Sequence, residues 1–193
     1  GLGPGINNVP VEDDFAATAA EGELARRLPE WEAKGLAPHD PVPDGNKTSE
    51  PRRYGMMHWS DLFSPRQLLG HGTAVEVFRQ IIDEEKAAAR WSELTAAAFA
   101  YLTLSLDKML NYNSRMSVWM STREVVANTF NRHDFAFAWS HAEMAPLIVG
   151  LGYDWAIEQT AKCIAELVAL VRPEASVAVN GQTGFDFDGS ARA

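Results

Sequence analysis

The stretch Tyr54-Gly-Met-Met-His-Trp-Ser-Asp-Leu-Phe-Ser-Pro-Arg-Gln-Leu-Leu69 is where the chain changes character. Before it, the sequence is acidic and rich in proline and glycine, and after it apolar residues recur at helical spacing. Ser64 can accept a hydrogen bond from the free N–H groups of a first helical turn. Pro65 suits the first helical position because its missing donor costs nothing there. The stretch therefore predicts the entrance to the main helical core.

The spacing of apolar residues predicts a mainly α fold. Its centre is an antiparallel pair of long helices, at about 65–88 and 92–111, and a third strong helix follows at about 152–172. Ser92 is the predicted N-cap of the second helix. The predicted buried face of that helix comprises Phe99, Leu102, Leu106 and Met109. The apolar face of the third helix comprises Ile157, Ala161, Ile164, Val168 and Val171.

Three regions are predicted along the chain. Residues 1–53 form an acidic N-terminal helix, from Val11 to a stop at Gly35, followed by a proline-rich linker. Residues 54–172 form the helical core domain, and residues 173–193 form a polar tail. Shorter elements are a strand or ordered loop at 54–63, a capped helix from Ser121 or Thr122 to Phe130, and extended segments at 133–140 and 176–179.

The charge is unevenly distributed along the chain. The net charge of −9 weighs against a general nucleic-acid binder. Residues 51–140, however, carry nine acidic and ten basic side chains, and eight of the basic ones are arginine. Only this central region can face phosphate groups without strong repulsion, so it is where DNA contact is permitted.

Cysteine usage and hydropathy exclude several classes of protein. A single cysteine, Cys163, rules out an internal disulfide framework and a cysteine-based zinc site within the chain, and its position predicts a buried structural thiol on a helix. No apolar run approaches the roughly 18 residues of a membrane span, and we expect no signal peptide. We therefore expect a cytoplasmic protein without a membrane partner.

The polar stretch Asn111-Tyr112-Asn113-Ser114-Arg115 is a candidate binding motif. Asparagine amides can pair with adenine, tyrosine can stack on a base, and arginine can hold phosphate or guanine. The alternative is a helix C-cap, since asparagine tolerates left-handed backbone geometry. Trp119, Trp139 and Trp155 are interpreted as core residues.

Two pairs of histidine and carboxylate provide a catalytic alternative. His133 precedes Asp134, and His141 lies two residues before Glu143, so either pair could act as a general base in a small hydrolase. The chain contains no Gly-x-Ser-x-Gly elbow, Walker loop or Gly-x-Gly-x-x-Gly fingerprint. No histidine pair has the spacing of a helical metal site.

Three segments together resemble the large bacterial and archaeal adenine-specific DNA methylases that contain a zinc ribbon. They are the Tyr54–Leu69 stretch, Asp107-Lys-Met-Leu-Asn-Tyr-Asn-Ser-Arg115, and Asn128-Thr-Phe-Asn-Arg132 followed by Trp139 and Ala142-Glu143. The resemblance spans roughly residues 10–193 and is most specific in the first segment. It implies a protein that depends on S-adenosylmethionine and has a Rossmann-like catalytic domain. Some members of the family accompany phage-defence systems.

The resemblance also implies that the catalytic parts lie outside this chain. In the family, the cofactor-binding glycine motif and the zinc-ribbon cysteines precede the matching region. The catalytic Asp/Asn-Pro-Pro-Tyr tetrad follows a segment that resembles Asp186-Phe-Asp-Gly-Ser-Ala-Arg-Ala193, and this chain contains no such tetrad. The tetrad holds the amine of the flipped base, so a chain without it lacks the residues that the reaction needs. No catalytic residue or cofactor site is therefore assigned within this chain.

The first hypothesis is therefore a non-catalytic helical region of a DNA adenine methyltransferase, inactive alone, with S-adenosylmethionine bound by the full-length protein. It would position DNA or support the catalytic domain, and its partner would be the remainder of the methyltransferase. The predicted nucleic-acid contacts are Arg66, Asn111, Tyr112, Asn113, Arg115 and Arg132. The second hypothesis is a non-enzymatic helical module that binds another protein through an apolar face.

Overall fold

A computed structural model describes residues 11–131, 135, 137 and 140–171. Within these residues the fold is mainly α, as predicted. The helices are α1 (Val11–Ala33), α2 (Ser49–Arg53), α3 (Pro65–Ala87), α4 (Glu93–Asn111) and α5 (Tyr153–Val171). Short 3-10 turns occur at Trp59–Leu62 and Thr129–Asn131, and a two-stranded antiparallel sheet pairs β1 (Val118–Met120) with β2 (Val125–Ala127). No helix in the described part of the chain is long and apolar enough to cross a membrane.

The chain divides into two compact units, Gly1–Ile81 and Ile82–Ala193. The domain boundaries predicted at residues 53/54 and 172/173 stay predictions. The antiparallel pairing of α3 with α4 also stays a prediction, because α3 runs across the division between the two units. The predicted extended segments at 133–140 and 176–179 fall wholly or mostly outside the described residues.

The start of α3 has the geometry that its sequence predicts. The Gln67 N–H donates to Ser64 Oγ at 3.3 Å, and the Ser64 N–H donates to Gln67 Oε1 at 2.9 Å. This reciprocal pair is a capping box, and it satisfies two backbone donors at the helix start. Phe63, just before the cap, packs against the core cluster that contains Leu68 on the first turn. The prediction that Ser64 and Pro65 begin a core helix is confirmed.

The core of the first unit is formed by α1 and α3 together. Its buried members are Leu24, Trp31, Ala37 and Leu68. Trp31 is 1% exposed, and its indole Nε1 donates to Glu76 Oε1 on α3 at 3.2 Å. A Cβ at Gly72 would lie 2.2 Å from the Trp31 ring, so α3 has a glycine where the indole rests. α1 therefore contributes the largest core side chain of this unit.

The C-terminal end of α1 is tied to α3 by Arg79. Its guanidinium donates to the carbonyl oxygens of Lys34 at 2.8 Å and Gly35 at 3.0 Å. A cation is favourable there because the last carbonyl groups of a helix carry partial negative charge. Gly35 has φ +62°, which fits its predicted role as the stop. The helix continues through Pro29, where the sequence predicts a break or a kink.

The segment between α1 and α3 is more ordered than the predicted linker. It contains α2 and an isolated bridge between Pro41 and His58. Asp61 Oδ2 accepts hydrogen bonds from the backbone N–H groups of Met57 and His58, both at 2.8 Å. These bonds turn the chain toward the capping box of α3, so the Tyr54–Phe63 segment is an ordered loop, one of the two predicted alternatives.

Acid should weaken the first unit through Glu23 on α1. Side-chain hydrogen bonds from Arg26 and Arg27 lower the pKa of Glu23 to about 2 from its ordinary 4.5. A carboxyl group whose pKa is depressed on folding stabilises the fold above its unfolded pKa, and this contribution is lost as the pH falls from about 4.5 toward 2. We expect Glu23→Gln to flatten the acid dependence of thermal unfolding, measured by circular dichroism. The control is Glu21→Gln on the same helix, and equal profiles for both variants would contradict this role.

In the second unit, α4 packs against α5. Met109 and Ala156 are fully buried, and Ser105 Oγ donates to Thr160 Oγ1 at 3.0 Å. Ser92 caps α4 by accepting from the Thr95 N–H at 3.1 Å, as predicted. The predicted face of α4 is correct, since Met109 is buried and Phe99, Leu102 and Leu106 are partly buried.

Most of the apolar face predicted on α5 faces solvent. Ile157, Ala161, Val168 and Val171 are exposed and Ile164 is partly buried, while α5 turns its Ala156 and Thr160 side toward α4. Cys163 is also exposed, so the prediction of a buried thiol is wrong. The packing places small residues, not the aliphatic stripe, between the two helices.

The predicted helix from Ser121 or Thr122 to Phe130 is wrong. The segment is a hairpin in which Trp119 pairs with Val126, followed by a 3-10 turn. The reason is local: Val125 and Val126 are β-branched and favour a strand, and Glu124 has φ 53°, which interrupts a right-handed helix.

Candidate functional site

The predicted nucleic-acid contacts are distributed over both units. Arg66 is exposed on α3 in the first unit, whereas residues 111–115 lie at the end of α4 in the second. Arg132 lies outside the described residues. The structure therefore brings residues 111–115 together in the second unit, and Arg66 belongs to the first.

The middle of this group forms a buried polar cluster, made of Asn113, Ser114, Ser117 and Thr129. Asn113 Nδ2 donates to the Met109 carbonyl at 3.1 Å, and Asn113 Oδ1 accepts from the Met144 N–H at 2.9 Å. The hydroxyls of Ser114 and Thr129 are 2.7 Å apart, and Ser114 and Ser117 are almost fully buried. Because its amide is already used by backbone groups, Asn113 is withdrawn from the set of predicted nucleic-acid contacts.

The buried polar cluster holds three segments of the second unit together. Asn111 Oδ1, at the end of α4, accepts from the Phe130 N–H at 3.3 Å. The Ala142 N–H donates to the Ser117 carbonyl at 2.8 Å. The end of α4, the hairpin region and the segment at 142–144 thus meet through hydrogen bonds. The alternative interpretation, an asparagine C-cap with left-handed backbone, is wrong in its residue, because the cap of α4 is Tyr112 with φ −101°. Asn113 contributes to the helix end through its side chain, which donates to the Met109 carbonyl.

Removing the Asn113 side chain should destabilise the second unit. Asn113→Ala leaves the Met144 N–H without its partner and removes one of the two bonds to the Met109 carbonyl, which also accepts from the Tyr112 N–H at 3.2 Å. We expect a loss of about 1–3 kcal/mol in the free energy of unfolding. Chemical denaturation followed by circular dichroism measures this loss. Asn111→Ala is the matched control with a smaller effect, because Asn111 accepts a single, longer bond from Phe130. An Asn113→Ala variant as stable as the wild type would contradict the structural role.

Tyr112 packs against another aromatic side chain. Its ring meets Trp155 edge-on with centroids 5.6 Å apart, and Lys108 Nζ lies 4.2 Å from the Trp155 ring centroid. Burial lowers the pKa of Lys108. Trp155 is half-buried by these contacts, which agrees with its predicted core role, while Trp139 lies outside the described residues. Tyr112 therefore joins α4 to α5.

Of the two histidine–carboxylate pairs that could act as a general base, the structure describes only His141 with Glu143. His141 Nε2 lies 3.3 Å from Glu143 Oε1, and both side chains are about four-fifths buried. A carboxylate at this distance can orient an imidazole, as in general-base sites. The other pair, His133 and Asp134, lies outside the described residues. Within the described part of the chain, no three histidine, cysteine or acidic side chains gather as a metal site would require.

Two exposed surfaces of the second unit stand apart from these contacts. The first, the α5 surface, consists of aliphatic side chains near the end of α5, namely Leu167, Val168, Leu170 and Val171. The second, the hairpin surface, consists of Arg115, Trp119, Arg123 and Phe130. Trp119 and Phe130 are 57% and 78% exposed, Arg123 is exposed, and Arg115 is partly buried. The prediction that Trp119 is a core residue is wrong. The strand alternation that turns Trp119 outward could have been recognised only by predicting a strand at 118–120.

The chain matches no protein-family model, no curated protein and no solved structure. The geometry of its own residues therefore carries the functional argument.

Proposed function

We propose that this chain is a non-catalytic helical region of an S-adenosylmethionine-dependent, adenine-specific DNA methyltransferase, located in the cytoplasm. In this proposal it supports the catalytic domain and helps to position nucleic acid. The catalytic tetrad and the cofactor site belong to the remainder of that protein. The observation that carries the proposal is the α5 surface, which is aliphatic and exposed.

The α5 surface has the character of an interface. Leu170 and Val171 are 79% and 80% exposed, and Leu167 joins them on the last turns of the helix. Contiguous aliphatic side chains of this kind usually mark a site where another protein surface packs. A catalytic domain that covers α5 would remove these side chains from water, at a gain of about 25 cal/mol for each Å² buried.

A second candidate function is favoured by the turn that precedes α5. Leu147, Ile148, Val149 and Leu151 are all exposed in this turn. An apolar turn next to an apolar helix end also fits a non-enzymatic helical module that binds a separate protein. The two candidates differ in the partner, which is a domain of the same protein in the first and another protein in the second.

Methyl transfer by the longer gene product tests the proposal. We expect the longer protein to transfer methyl groups from S-adenosylmethionine to adenine in DNA, and residues 1–193 alone to transfer none. Leu167→Asp with Leu170→Asp should abolish this activity, because two charges would enter the packed surface. Leu94→Asp is the matched control, since Leu94 is exposed near the start of α4.

Two results would overturn the proposal. One is a longer protein without methyl transfer, and the other is an α5 double variant as active as the wild type. A longer protein that lacks activity but binds a defined protein through α5 would establish the second candidate instead.

A further inference from the structure

The hairpin of the second unit has two different faces. Val118, Met120, Val125 and Ala127 share one face through the register of β1 and β2, and Ala127 is buried there. Trp119 and Val126 are paired on the opposite face. Because successive side chains of a strand alternate, anchoring the first face leaves Trp119 directed away from the core. The exposure of Trp119 is thus a consequence of the register.

The aromatic side chains of this region are exposed although the backbone around them is fixed. Phe130 donates its N–H to Asn111 Oδ1 at 3.3 Å, while its ring remains exposed. The neighbouring Thr129 bonds to buried Ser114. A large apolar ring held outward on an ordered backbone loses little conformational freedom when it binds a flat partner.

The charge of this region differs from that of the whole chain. Residues 112–131 contain two arginines, Arg115 and Arg123, and one acidic residue, Glu124, whereas the chain carries −9. Arg123 is exposed in the turn between β1 and β2, three residues after the end of the strand that carries Trp119. A segment of the chain that combines arginine with exposed aromatic rings is complementary to a ligand that combines phosphate groups with flat bases.

We infer that the hairpin surface, made of Arg115, Trp119, Arg123 and Phe130, binds single-stranded nucleic acid. Unpaired bases stack on Trp119 and Phe130, and the two arginines contact the phosphate backbone. A duplex keeps its bases stacked on one another, so it offers phosphates but no free base face to Trp119. This inference rests on the proposed role in positioning nucleic acid and names the surface that performs it.

Fluorescence anisotropy with labelled oligonucleotides tests the inference on the chain itself. We expect residues 1–193 to bind a fluorescein-labelled oligo(dT) of about 20 nucleotides more tightly than a duplex of the same length. Trp119→Ala should weaken oligo(dT) binding about tenfold or more, and Trp119→Phe should restore most of it, because phenylalanine still stacks. Arg115→Ala with Arg123→Ala should reduce the slope of log affinity against log salt by about 1.4.

Matched controls separate loss of contact from loss of fold. Phe15→Ala removes an exposed aromatic from α1, and Arg53→Ala removes an exposed arginine from α2, and both should bind like the wild type. Circular dichroism shows whether Trp119→Ala keeps its helical signal and melting temperature. Wild-type chain that fails to bind oligo(dT), that binds duplex equally well, or that is unaffected by Trp119→Ala would overturn the inference. Each of these failures leaves the α5 interface and its methyl-transfer test intact.

Discussion

Replacing Trp31 with alanine is expected to lower the free energy of unfolding of the first unit by about 3–5 kcal/mol, the usual cost of removing a buried aromatic ring. Trp31 is 1% exposed and fills the space between α1 and α3. Its loss also frees Glu76 Oε1 from the indole N–H, and it removes the ring over which the Arg27 guanidinium lies at 5.6 Å. Among the side chains that the structure describes in the first unit, no other combines this volume with this burial.

Chemical denaturation of the variant, followed by far-ultraviolet circular dichroism, measures the loss. The control is Trp119→Ala, which removes the same side chain from an exposed strand position and should change stability much less. If the two tryptophan variants unfold at the same denaturant concentration, Trp31 is not the centre of the first core.

Gly72→Ala is expected to destabilise the same unit by about 3 kcal/mol, at the upper end of what overpacking usually costs. The added Cβ would lie 2.2–2.8 Å from three atoms of the Trp31 ring, closer than side-chain carbons approach. The ring is held by its hydrogen bond to Glu76, so it cannot move away without breaking that bond. Alanine normally favours a helix more than glycine does, so helix propensity alone would make Gly72→Ala stabilising. A decrease in the free energy of unfolding would therefore show that the added Cβ clashes with Trp31.

Gly70→Ala provides the matched comparison on the same helix. A Cβ at Gly70 meets nothing within 4 Å, so this change should stabilise α3 by up to about 1 kcal/mol through the helix propensity of alanine. Combining Trp31→Ala with Gly72→Ala should remove the clash, so the double variant should be more stable than the sum of the single losses implies. Equal effects of alanine at both glycines would contradict the packing of Trp31 on Gly72.

The helix ends were predictable because their signals are local. Ser64 and Ser92 accept the capping bonds that their positions predict, and Gly35 adopts the left-handed geometry that ends α1. Each of these residues acts on backbone groups within a few positions of itself. Short-range hydrogen bonding is what a single sequence expresses most clearly.

The partners of these helices were not predictable in the same way. A glycine inside a helix, such as Gly72, is compatible with close packing, but nothing near it in the sequence indicates that Trp31 is the side chain it accepts. The aliphatic stripe of α5 has the spacing of a buried face, and yet the structure exposes it. Amphipathic spacing shows that a face can be buried and does not show which surface covers it.

The candidate site was predicted in part. The polar motif at 111–115 does mark the end of α4, but Asn113 serves the fold, because its amide bonds to Met109 and Met144. Met144 is 31 residues further along the chain, so no local sequence pattern predicts its hydrogen bond to Asn113. Trp119 was predicted to be a core residue, but it is exposed because residues 118–127 form a hairpin. The sequence predicts a helix from Ser121 or Thr122 to Phe130, so the strand that carries Trp119 and its partner strand were both missed.

We propose that this helical region belongs to a methyltransferase whose chemistry lies in neighbouring segments. The most direct test of this proposal is the sequence of the encoding gene on both sides of Gly1 and Ala193. We expect a glycine-rich cofactor motif upstream and an Asp-Pro-Pro-Tyr or Asn-Pro-Pro-Tyr tetrad shortly after Ala193. A reading frame without the tetrad and without the cofactor motif would contradict it.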